Sequence, residues 1–184
     1  MGKLIYMRHF LTEAYKDNIY MGQSDYAICN TVIINKDALS EMGSCLLLSS
    51  TLLRARQTAN YIIEQFSNIN FTIKLLSELV ERGLGDFEGK EKSVVKQNTD
   101  FFSNGNLKFE LTPPNGEAFC DFHERIKKAY TKIEFAKREN NVLVISHLQA
   151  LRMLYFIATG NEGDYSKWYD INYKHGEMVI QSIT

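Results

Sequence analysis

The sequence is poor in proline and cysteine, and it lacks a long hydrophobic run. Its two prolines, Pro113 and Pro114, are adjacent and mark a loop, so they do not indicate a domain boundary. The three cysteines are widely spaced and form no Cys-x-x-Cys pair, which argues against a disulfide framework and indicates reduced thiols. No apolar run reaches the length of a transmembrane helix, and the N-terminal one is too short for a secretion signal. We therefore expect one cytoplasmic domain over residues 1–184.

The charge balance is close to neutral, which limits the partners that the chain can attract. The net charge is -1, and 23% of the 184 residues are charged, an ordinary value for a globular protein. A charge this small does not favour general binding to nucleic acid or to an acidic membrane surface. Any recognition of an anion must therefore come from cations that cluster locally. No pattern in the sequence indicates an oligomeric state.

Two short apolar runs end in histidine, one near each end of the chain. Residues 4–9 read Leu-Ile-Tyr-Met-Arg-His, and an apolar run of this length is typical of a strand that is buried on both faces of an α/β sheet. Ligands bind beyond the carboxyl ends of such strands, where Arg8 and His9 would emerge. Val142–Ile145 repeats this arrangement and delivers His147 before a helix that ends near Gly160.

A third run places an arginine at the same edge of the predicted sheet. Cys45–Leu48 predicts a strand, residues 49–51 (Ser-Ser-Thr) are natural helix N-cap residues, and Leu52–Phe66 carries an apolar stripe of helical period. Arg54 then lies in the first helical turn, where a cation is unfavourable for the helix dipole. We interpret Arg54 as part of a binding site for an anion, which the helix N-terminus would also attract.

The remaining segments supply a glycine-rich loop and further elements. Residues 79–89 contain three glycines and mixed charge, including Glu81, and glycine lets the backbone approach a ligand closely. Residues 104–114 have no clear period, and we expect them to cover a site as a lid. The patterns also predict a strand over Phe71–Leu75, an edge strand over Met178–Ile183, and helices over Lys36–Met42, Glu91–Asn98 and Gly116–Lys137.

The groups at these strand ends suit phosphoryl transfer. Two arginines, Arg8 and Arg54, offer planar donor forks for phosphate oxygens. One neutral histidine could attack phosphorus, and a second, if protonated, would add hydrogen bonds and charge. A carboxylic acid such as Glu81 could give a proton to the departing alkoxide. No metal or other cofactor is required, because the arginines neutralise the charge.

Two competing site types fit the sequence less well. A metal site would use the four histidines with acidic residues, but the spacing His-x-x-x-His or a similar one is absent. A nucleotide-binding glycine loop is also disfavoured, because residues 83–85 do not continue as G-x-G-x-x-G. We expect His123, which lies off the apolar stripe of its helix, to be on the surface. His175 precedes the last strand in a Lys-His-Gly turn, and we expect a structural or solvent-facing role.

Five ordered motifs together resemble the histidine phosphatase superfamily, in its phosphoglycerate mutase-like branch. The match covers nearly the whole chain. The motifs are Arg8-His9, Ser50-x-x-x-Arg54-Ala55-x-Gln57-Thr58-Ala59, Leu79-x-Glu81-x-x-x-Gly85-x-Phe87-Glu88-Gly89, Pro114-x-Gly116-Glu117 and Ser146-His147.

The resemblance implies a role for each of the five groups. His9 would be the phosphorylated nucleophile, and Glu81 the acid that later acts as a base toward water. Arg8, Arg54 and His147 would form the phosphate pocket.

Further site residues and the fold also follow from the resemblance. Arg82 matches a position that often contacts substrate, and the backbone amides of Gly22 and Leu148 match positions close to the phosphate. The implied fold is a three-layer α/β/α sandwich whose mostly parallel central sheet has an antiparallel edge strand.

Four positions depart from the usual pattern of that family. Phe10 stands where glycine usually follows the nucleophile, and Tyr15 stands where an asparagine commonly donates to the phosphate. Met21 replaces a threonine or glutamine, and Leu148 replaces a glycine. These departures concern substrate identity and catalytic rate, while the five central groups are intact.

The expected function is metal-independent hydrolysis of a small phosphorylated metabolite. Mutases of this family are longer and carry inserted segments that close over the substrate, so a chain of this length favours hydrolysis. A phosphoglycerate-type mutase, a phosphoprotein phosphatase and a non-catalytic phosphoryl-binding module are the alternatives.

Overall fold

A five-stranded mixed sheet forms the middle layer of the protein. The computed structural model describes residues 2–40, 42–98, 100–104 and 106–181. The strands are β1 (Leu4–Arg8), β2 (Ser44–Ser50), β3 (Asn70–Leu76), β4 (Phe102–Ser103), β5 (Asn106–Leu107), β6 (Val142–Ser146) and β7 (Met178–Ile180). The α-helices are α1 (Glu13–Lys16), α2 (Leu53–Gln65), α3 (Lys92–Val95), α4 (Phe119–Lys137) and α5 (Leu148–Ala158).

The strand order brings the two histidine-bearing strands side by side. The order is β3-β2-β6-β1-β7, with parallel pairing throughout except between β1 and β7, which are antiparallel. In the β1–β6 pair, Arg8 lies opposite Ser146, so the residues that follow both strands emerge together. The predicted fold, a mostly parallel sheet with an antiparallel edge strand and helices around it, is confirmed.

Helices cover both faces of the sheet, which explains why its central strands are apolar without alternation. One core cluster joins Tyr6, Val142 and Val144 of the sheet to α4 and α5. The other joins Ile5, Met7, Leu47 and Ile145 to Ala55, Ala59 and Ile62 of α2. Successive strand residues point to opposite faces, and both faces are buried here. Among the described residues, no helix combines the length and the apolar character that crossing a membrane requires.

The N-terminus of α2 is capped differently from the expectation. Leu52 occupies the N-cap position and supplies no capping side chain. Instead, the Leu53 amide donates to Asp25 Oδ1 at 2.7 Å, and the Leu52 amide donates to Ser50 Oγ at 3.3 Å. A carboxylate from a distant loop therefore satisfies a free amide that the local Ser-Ser-Thr run was expected to satisfy.

Several elements are shorter than predicted. α4 begins at Phe119, not Gly116, because Ala118 is extended (ψ 148°) and is the N-cap residue, while the Gly116 amide donates to Pro113 O and the Glu117 amide to Gly83 O. The helix predicted over residues 91–98 is the single turn α3. The helix predicted over residues 36–42 is a 3-10 turn at Lys36–Leu39, and residue 41 lies outside the described residues.

A small third cluster supports the β4–β5 hairpin. It contains Leu84, Phe87, Val95, Phe102 and Leu107, separate from the two main clusters. The segment predicted to be a lid thus includes β5, although residue 105 lies outside the described residues. β7 ends at Ile180 within the predicted edge strand, of which residues 182 and 183 are likewise not described.

Candidate active site

A cavity of about 320 Å³ opens at the carboxyl ends of the central strands. Six of the eight predicted site residues line it: Arg8, His9, Gly22, Arg54, Glu81 and Leu148. They come from the end of β1, the turn after α1, the start of α2, the loop after β3 and the start of α5. The predicted convergence of distant segments is therefore present in the structure, with His147 and Arg82 as the two residues that do not line the cavity.

His9 is held in one orientation and one protonation form. Its Nδ1 lies 2.6 Å from the carbonyl oxygen of Phe10 and must donate, because a carbonyl only accepts. The lone pair of the neutral ring is then on Nε2. Burial, followed by the neighbouring His147 ring and the Arg54 cation, holds the pKa of His9 well below its usual value. His9 therefore presents the neutral imidazole that a nucleophile requires.

Arg54 is almost completely buried and is fixed by three donor contacts. Its Nε donates to His147 Nδ1 at 3.2 Å, and its two terminal nitrogens donate to the carbonyl oxygens of Ser24 and Gly22, each at 2.8 Å. A guanidinium has five N–H groups, so one on each terminal nitrogen is still available for an anion. The backbone of the Gly22–Ser24 turn thus orients the fork.

His147 supports the site from behind instead of facing the cavity. Its ring centroid is 5.0 Å from that of His9, and the side chain is fully buried. Because Nδ1 accepts from Arg54, the proton is on Nε2, which donates to Ser50 Oγ at 2.8 Å. Burial and the nearby arginines hold its pKa well below the usual value, so the ring adds hydrogen bonds to the site but no positive charge.

Arg8 completes the cationic end of the cavity. One terminal nitrogen donates to Tyr173 O at 3.1 Å, and the guanidinium carbon lies 5.5 Å from the centre of the Tyr15 ring. Burial lowers the pKa of Arg8 to about 10, partly offset by Glu81, so the side chain is still charged at neutral pH.

Glu81 lies at the N-terminus of α5. Its Oε1 accepts from the amides of Arg82 at 3.1 Å and Ala150 at 3.3 Å, and its Oε2 accepts from the Gln149 amide at 3.3 Å. The carboxyl group is therefore fixed by three backbone amides beside the start of α5, and it borders the cavity that His9 lines.

Gly22 must be glycine for two reasons. Its φ is +48°, a conformation that side chains disfavour, and a Cβ at this position would lie 2.0 Å from Glu88 Oε1. Glu88 in turn accepts from the amides of Gln23, Ser24 and Leu84. One half-buried carboxylate thus ties the turn that orients Arg54 to the loop that follows Glu81.

Arg82 does not reach the cavity, contrary to the prediction. Its side chain is fully buried, and its nitrogens donate to the carbonyl oxygens of Phe109, Leu111 and Glu117. Every nitrogen is engaged with the backbone, so this guanidinium is a structural crosslink and is not placed to touch a ligand.

Two of the unusual positions are accommodated without strain. Phe10 is buried, its amide donates to Thr58 Oγ1 at 3.0 Å, and its ring packs edge-on to Tyr61. Its φ is not positive, so glycine is not needed there. Tyr15 lines the cavity in the place of the usual asparagine, with the Lys92 ammonium 4.7 Å from its ring centre.

His175 was not predicted to be part of the site. Its Nδ1 donates to the carbonyl oxygen of His9 at 3.0 Å, and its ring centroid lies 5.0 Å from that of His9 and 4.5 Å from that of Tyr15. Burial, then Arg8, lowers its pKa to about 4. It is a structural neighbour of His9 and not solvent-facing. The sequence feature that could have indicated this neighbour is the position of His175 just before β7, the strand that pairs with β1.

Three further cations line the cavity and were also missed; two are at its more exposed, outer part, and Arg152 is buried. They are Lys92, Lys96 and Arg152, and none has a carboxylate partner within the described part of the chain. The Arg152 Nε donates to Ile171 O at 2.7 Å, and its guanidinium carbon lies 5.4 Å from the Tyr169 ring centre. Arg152 follows Leu148 by four residues and so shares its face of α5, which was the available signal.

No cluster of three or more His, Cys, Asp or Glu side chains suited to a metal ion occurs among residues 2–40, 42–98, 100–104 and 106–181.

Comparisons with known proteins identify the family and the fold. Residues 4–183 match the family described as the histidine phosphatase superfamily (branch 1). A phosphoglycerate mutase of Schizosaccharomyces pombe is 28% identical over 171 residues, which cover 88% of this chain and 81% of that protein. An adenosylcobalamin/alpha-ribazole phosphatase of Escherichia coli is 25% identical over 158 residues, covering 83% and 76%.

A solved structure shares the fold at low sequence identity. A mycobacterial glucosyl-3-phosphoglycerate phosphatase superposes with a TM-score of 0.78 and 18% identity, over 99% of this chain and 91% of that chain. The family match extends over nearly the whole sequence, and the superposition covers nearly the whole fold. The chain therefore belongs to branch 1 of the histidine phosphatase superfamily.

Proposed function

We propose that this protein is a metal-independent phosphatase that hydrolyses a small phosphomonoester through a phosphohistidine on His9. The observation that carries the proposal is the state of the His9 ring, which is neutral and has its Nε2 lone pair free while Nδ1 is bonded to Phe10 O. The phosphatases and mutases among the relatives support phosphoryl transfer in general.

In the first step, His9 Nε2 attacks phosphorus and the bond from phosphorus to the ester oxygen breaks. Glu81 gives its proton to the departing oxygen, so the alcohol leaves in neutral form. Arg8 and Arg54 hold the phosphoryl oxygens and stabilise the charge that they carry in the transition state. Positioning and charge stabilisation are the main contributions in reactions of this kind.

In the second step, water attacks the phosphohistidine and the bond from nitrogen to phosphorus breaks. The Glu81 carboxylate accepts a proton from the attacking water, which restores the acid for the next cycle. His9 returns to its neutral form, and inorganic phosphate is released. The same carboxyl group thus acts as acid and then as base, as microscopic reversibility of the two displacements requires.

The outer cavity favours a substrate that is small and carries further negative charge. A volume of about 320 Å³ exceeds what a phosphoryl group fills, so room is left for a compact alcohol portion. Lys92, Lys96 and Arg152 surround that room without carboxylate partners, and an acidic group on the substrate would compensate them.

A direct test uses 4-nitrophenyl phosphate in the presence of a metal chelator. We expect the purified protein to release 4-nitrophenol and to form an acid-labile phosphoenzyme, and we expect His9→Ala to abolish both. His123→Ala, at a surface histidine that contacts Glu162, is the matched control and keeps both. Tight phosphate binding without turnover would contradict the proposal and favour a non-catalytic phosphoryl-binding module.

Mutase activity is the second candidate, because phosphoglycerate mutases are among the relatives. In that reaction the phosphohistidine would return its phosphoryl group to a hydroxyl of the bound product instead of to water. Incubation with 3-phosphoglycerate distinguishes the two, since a phosphatase releases inorganic phosphate and a mutase accumulates 2-phosphoglycerate.

We also propose a cytosolic location. Cys29, Cys45 and Cys120 are free thiols, which is the usual state in a reducing compartment. Fractionation of cells that produce the protein would test this, and recovery outside the cytosol would contradict it.

A further inference from the structure

A bidentate ion pair lies behind the loop that carries Glu81. Arg125 of α4 donates from Nε to Glu117 Oε1 and from a terminal nitrogen to Glu117 Oε2, both at 2.8 Å. The two side chains are 19% and 17% exposed, so the pair is largely shielded from water. Parallel hydrogen bonds of this type are strong and fix both partners in orientation.

The other donors of Arg125 hold the backbone that leads to Glu81. One terminal nitrogen donates to the carbonyl oxygens of Glu78 and Val80 at 2.8 and 2.9 Å. The other donates to the carbonyl oxygen of Glu81 at 3.2 Å. A single guanidinium therefore binds three carbonyl groups within four consecutive residues that end at the proposed proton donor.

Glu117 holds the backbone on the other side of Glu81. Its Oε2 accepts from the Gly83 amide at 3.0 Å, and its own amide donates to the Gly83 carbonyl at 2.9 Å. Its carbonyl oxygen accepts from the buried Arg82 side chain. The residues on both sides of Glu81 are thus attached to one ion pair, which also explains why Arg82 is turned away from the cavity.

We propose that Arg125 and Glu117 are positioning residues for Glu81, and that they set the distance between its carboxyl group and the leaving oxygen. Neither side chain lines the cavity, so they act through the backbone and not by touching the substrate. A proton donor must be within hydrogen-bond reach of its acceptor, and a displacement of about 1 Å can cost about 100-fold in rate. The inference rests on the proposed function.

The test compares two esters whose leaving groups differ in their need for a proton. 4-Nitrophenolate leaves readily without protonation, whereas the alkoxide of 2-phenylethyl phosphate needs an acid. We expect Arg125→Met to lower kcat/KM for 2-phenylethyl phosphate about 100-fold and for 4-nitrophenyl phosphate less than 5-fold, because kcat/KM reports the phosphorylation step and not the later attack of water, which is the same for both esters. Glu81→Gln should show the same selectivity, and the double variant should be no slower than Glu81→Gln, because both changes remove one function.

Lys132→Met is the matched control. Lys132 is also on α4 and pairs with the Glu78 side chain, so it links the same helix to the same segment without binding the backbone. We expect this variant to hydrolyse both esters at wild-type rates. Arg125→Lys, which keeps the charge but not the fork, should recover part of the loss on 2-phenylethyl phosphate.

A merely structural role predicts a different result. Arg125→Met would then lower the melting temperature and slow the hydrolysis of both esters equally. Alternatively, its effect on the rate would multiply with that of Glu81→Gln in the double variant. Either outcome overturns the proposal. If Arg125→Met does not fold, Glu117→Gln, which keeps an oxygen acceptor, carries the test. We expect it to slow 2-phenylethyl phosphate 5- to 10-fold more than 4-nitrophenyl phosphate, and equal slowing overturns the proposal.

Failure of the proposed function would look different. Wild-type protein would then hydrolyse neither ester, or would show no phosphoenzyme that depends on His9, and this inference would be overturned with it. A different pair of results would overturn this inference alone. The wild-type protein would hydrolyse both esters and would need Glu81 for 2-phenylethyl phosphate, but Arg125→Met would slow the hydrolysis of both esters equally.

Discussion

The two ends of the cavity are built in different ways. At the inner end, Arg54 and His147 are buried, and Arg54 and both His147 ring nitrogens are engaged with protein groups. At the outer end, Lys92 and Lys96 line the cavity and have no carboxylate partner among the described residues. The inner end is organised before any ligand arrives, whereas the outer end has charge that a ligand would compensate.

This difference indicates that the inner end serves the reaction and the outer end serves substrate selectivity. A fixed inner end can serve any phosphomonoester, because every such substrate presents the same phosphoryl group. The outer end contacts the part that varies between substrates, and its side chains discriminate by charge. Substitutions at the inner end should therefore affect all esters alike, and substitutions at the outer end should change their ranking.

The largest effect is expected at the inner end. Arg54→Met removes a phosphate-binding fork and leaves two carbonyl groups and the His147 ring without their donor. We expect kcat/KM to fall about 100- to 1,000-fold for every ester, and the free energy of unfolding to fall by about 1–3 kcal/mol. Steady-state kinetics and chemical denaturation measure both. Arg56→Met, two residues away and exposed, is the control, and a tenfold or smaller loss in Arg54→Met would contradict the assignment.

A smaller and selective effect is expected at the outer end. Lys92→Met should lower kcat/KM for 4-carboxyphenyl phosphate about tenfold relative to 4-nitrophenyl phosphate, because one charge-assisted contact is lost. Parallel assays of the two esters give this ratio. Lys90→Met is the control, since Lys90 is exposed and does not line the cavity. An unchanged ratio would show that the outer cations do not select for charge.

Acid should weaken the inner end through its neutral histidines. The pKa of His175 is lowered to about 4 in the folded chain, so its contribution to stability is complete above its unfolded pKa of about 6.5 and is lost as the pH falls toward 4. Between pH 7 and 5.5 this amounts to about 1 kcal/mol. Between pH 7 and 5.5, the free energy of unfolding of His175→Asn should therefore fall by about 1 kcal/mol less than that of the wild type. Urea denaturation at each pH measures this difference. His9 and His147 still contribute to the pH dependence of stability in this variant. A pH dependence equal to that of the wild type would contradict the role given to His175.

The smallest effect is expected where the two ends meet. The Tyr15 ring lies between the cations of Arg8 and Lys92. Tyr15→Ala should lower kcat/KM about 2- to 5-fold, because each exposed cation–π contact is worth about 0.5–1 kcal/mol. Tyr15→Phe keeps the ring and should match wild type in the same assay. A large loss in Tyr15→Phe would instead assign a role to the hydroxyl group.

The inner end was predictable because its residues follow buried strands or begin helices. Apolar runs 4–7 and 142–145 show where strands end, so Arg8, His9 and the start of α5 could be placed at one edge of the sheet. What the runs do not encode is the direction of a side chain within that edge. Arg82 follows Glu81 directly, yet it turns into the core toward carbonyl groups that are 27 to 35 residues away.

Contacts made by side chains that are distant in the sequence escaped prediction for the same reason. The cap of α2 comes from Asp25, and the neighbour of His9 comes from His175, near the other end of the chain. Neither leaves a local pattern, because a carboxylate in a loop and a histidine in a turn are ordinary there. The predicted start of α4 was wrong because the backbone at Gly116–Ala118 follows a turn from Pro113 and a contact with Gly83 and is extended at Ala118, so tertiary contacts override the helical period.

The alignment of Arg8 with Ser146 across neighbouring parallel strands links catalytic competence to folding. Sliding β1 past β6 by a single residue would turn His9 and its neighbours to the opposite face of the sheet. The proposed nucleophile, His9, therefore reaches its place in the site only after β1 and β6 have paired in register. Recovery of enzymatic turnover after dilution from denaturant would then report completion of the sheet, a long-range event that is slow by nature.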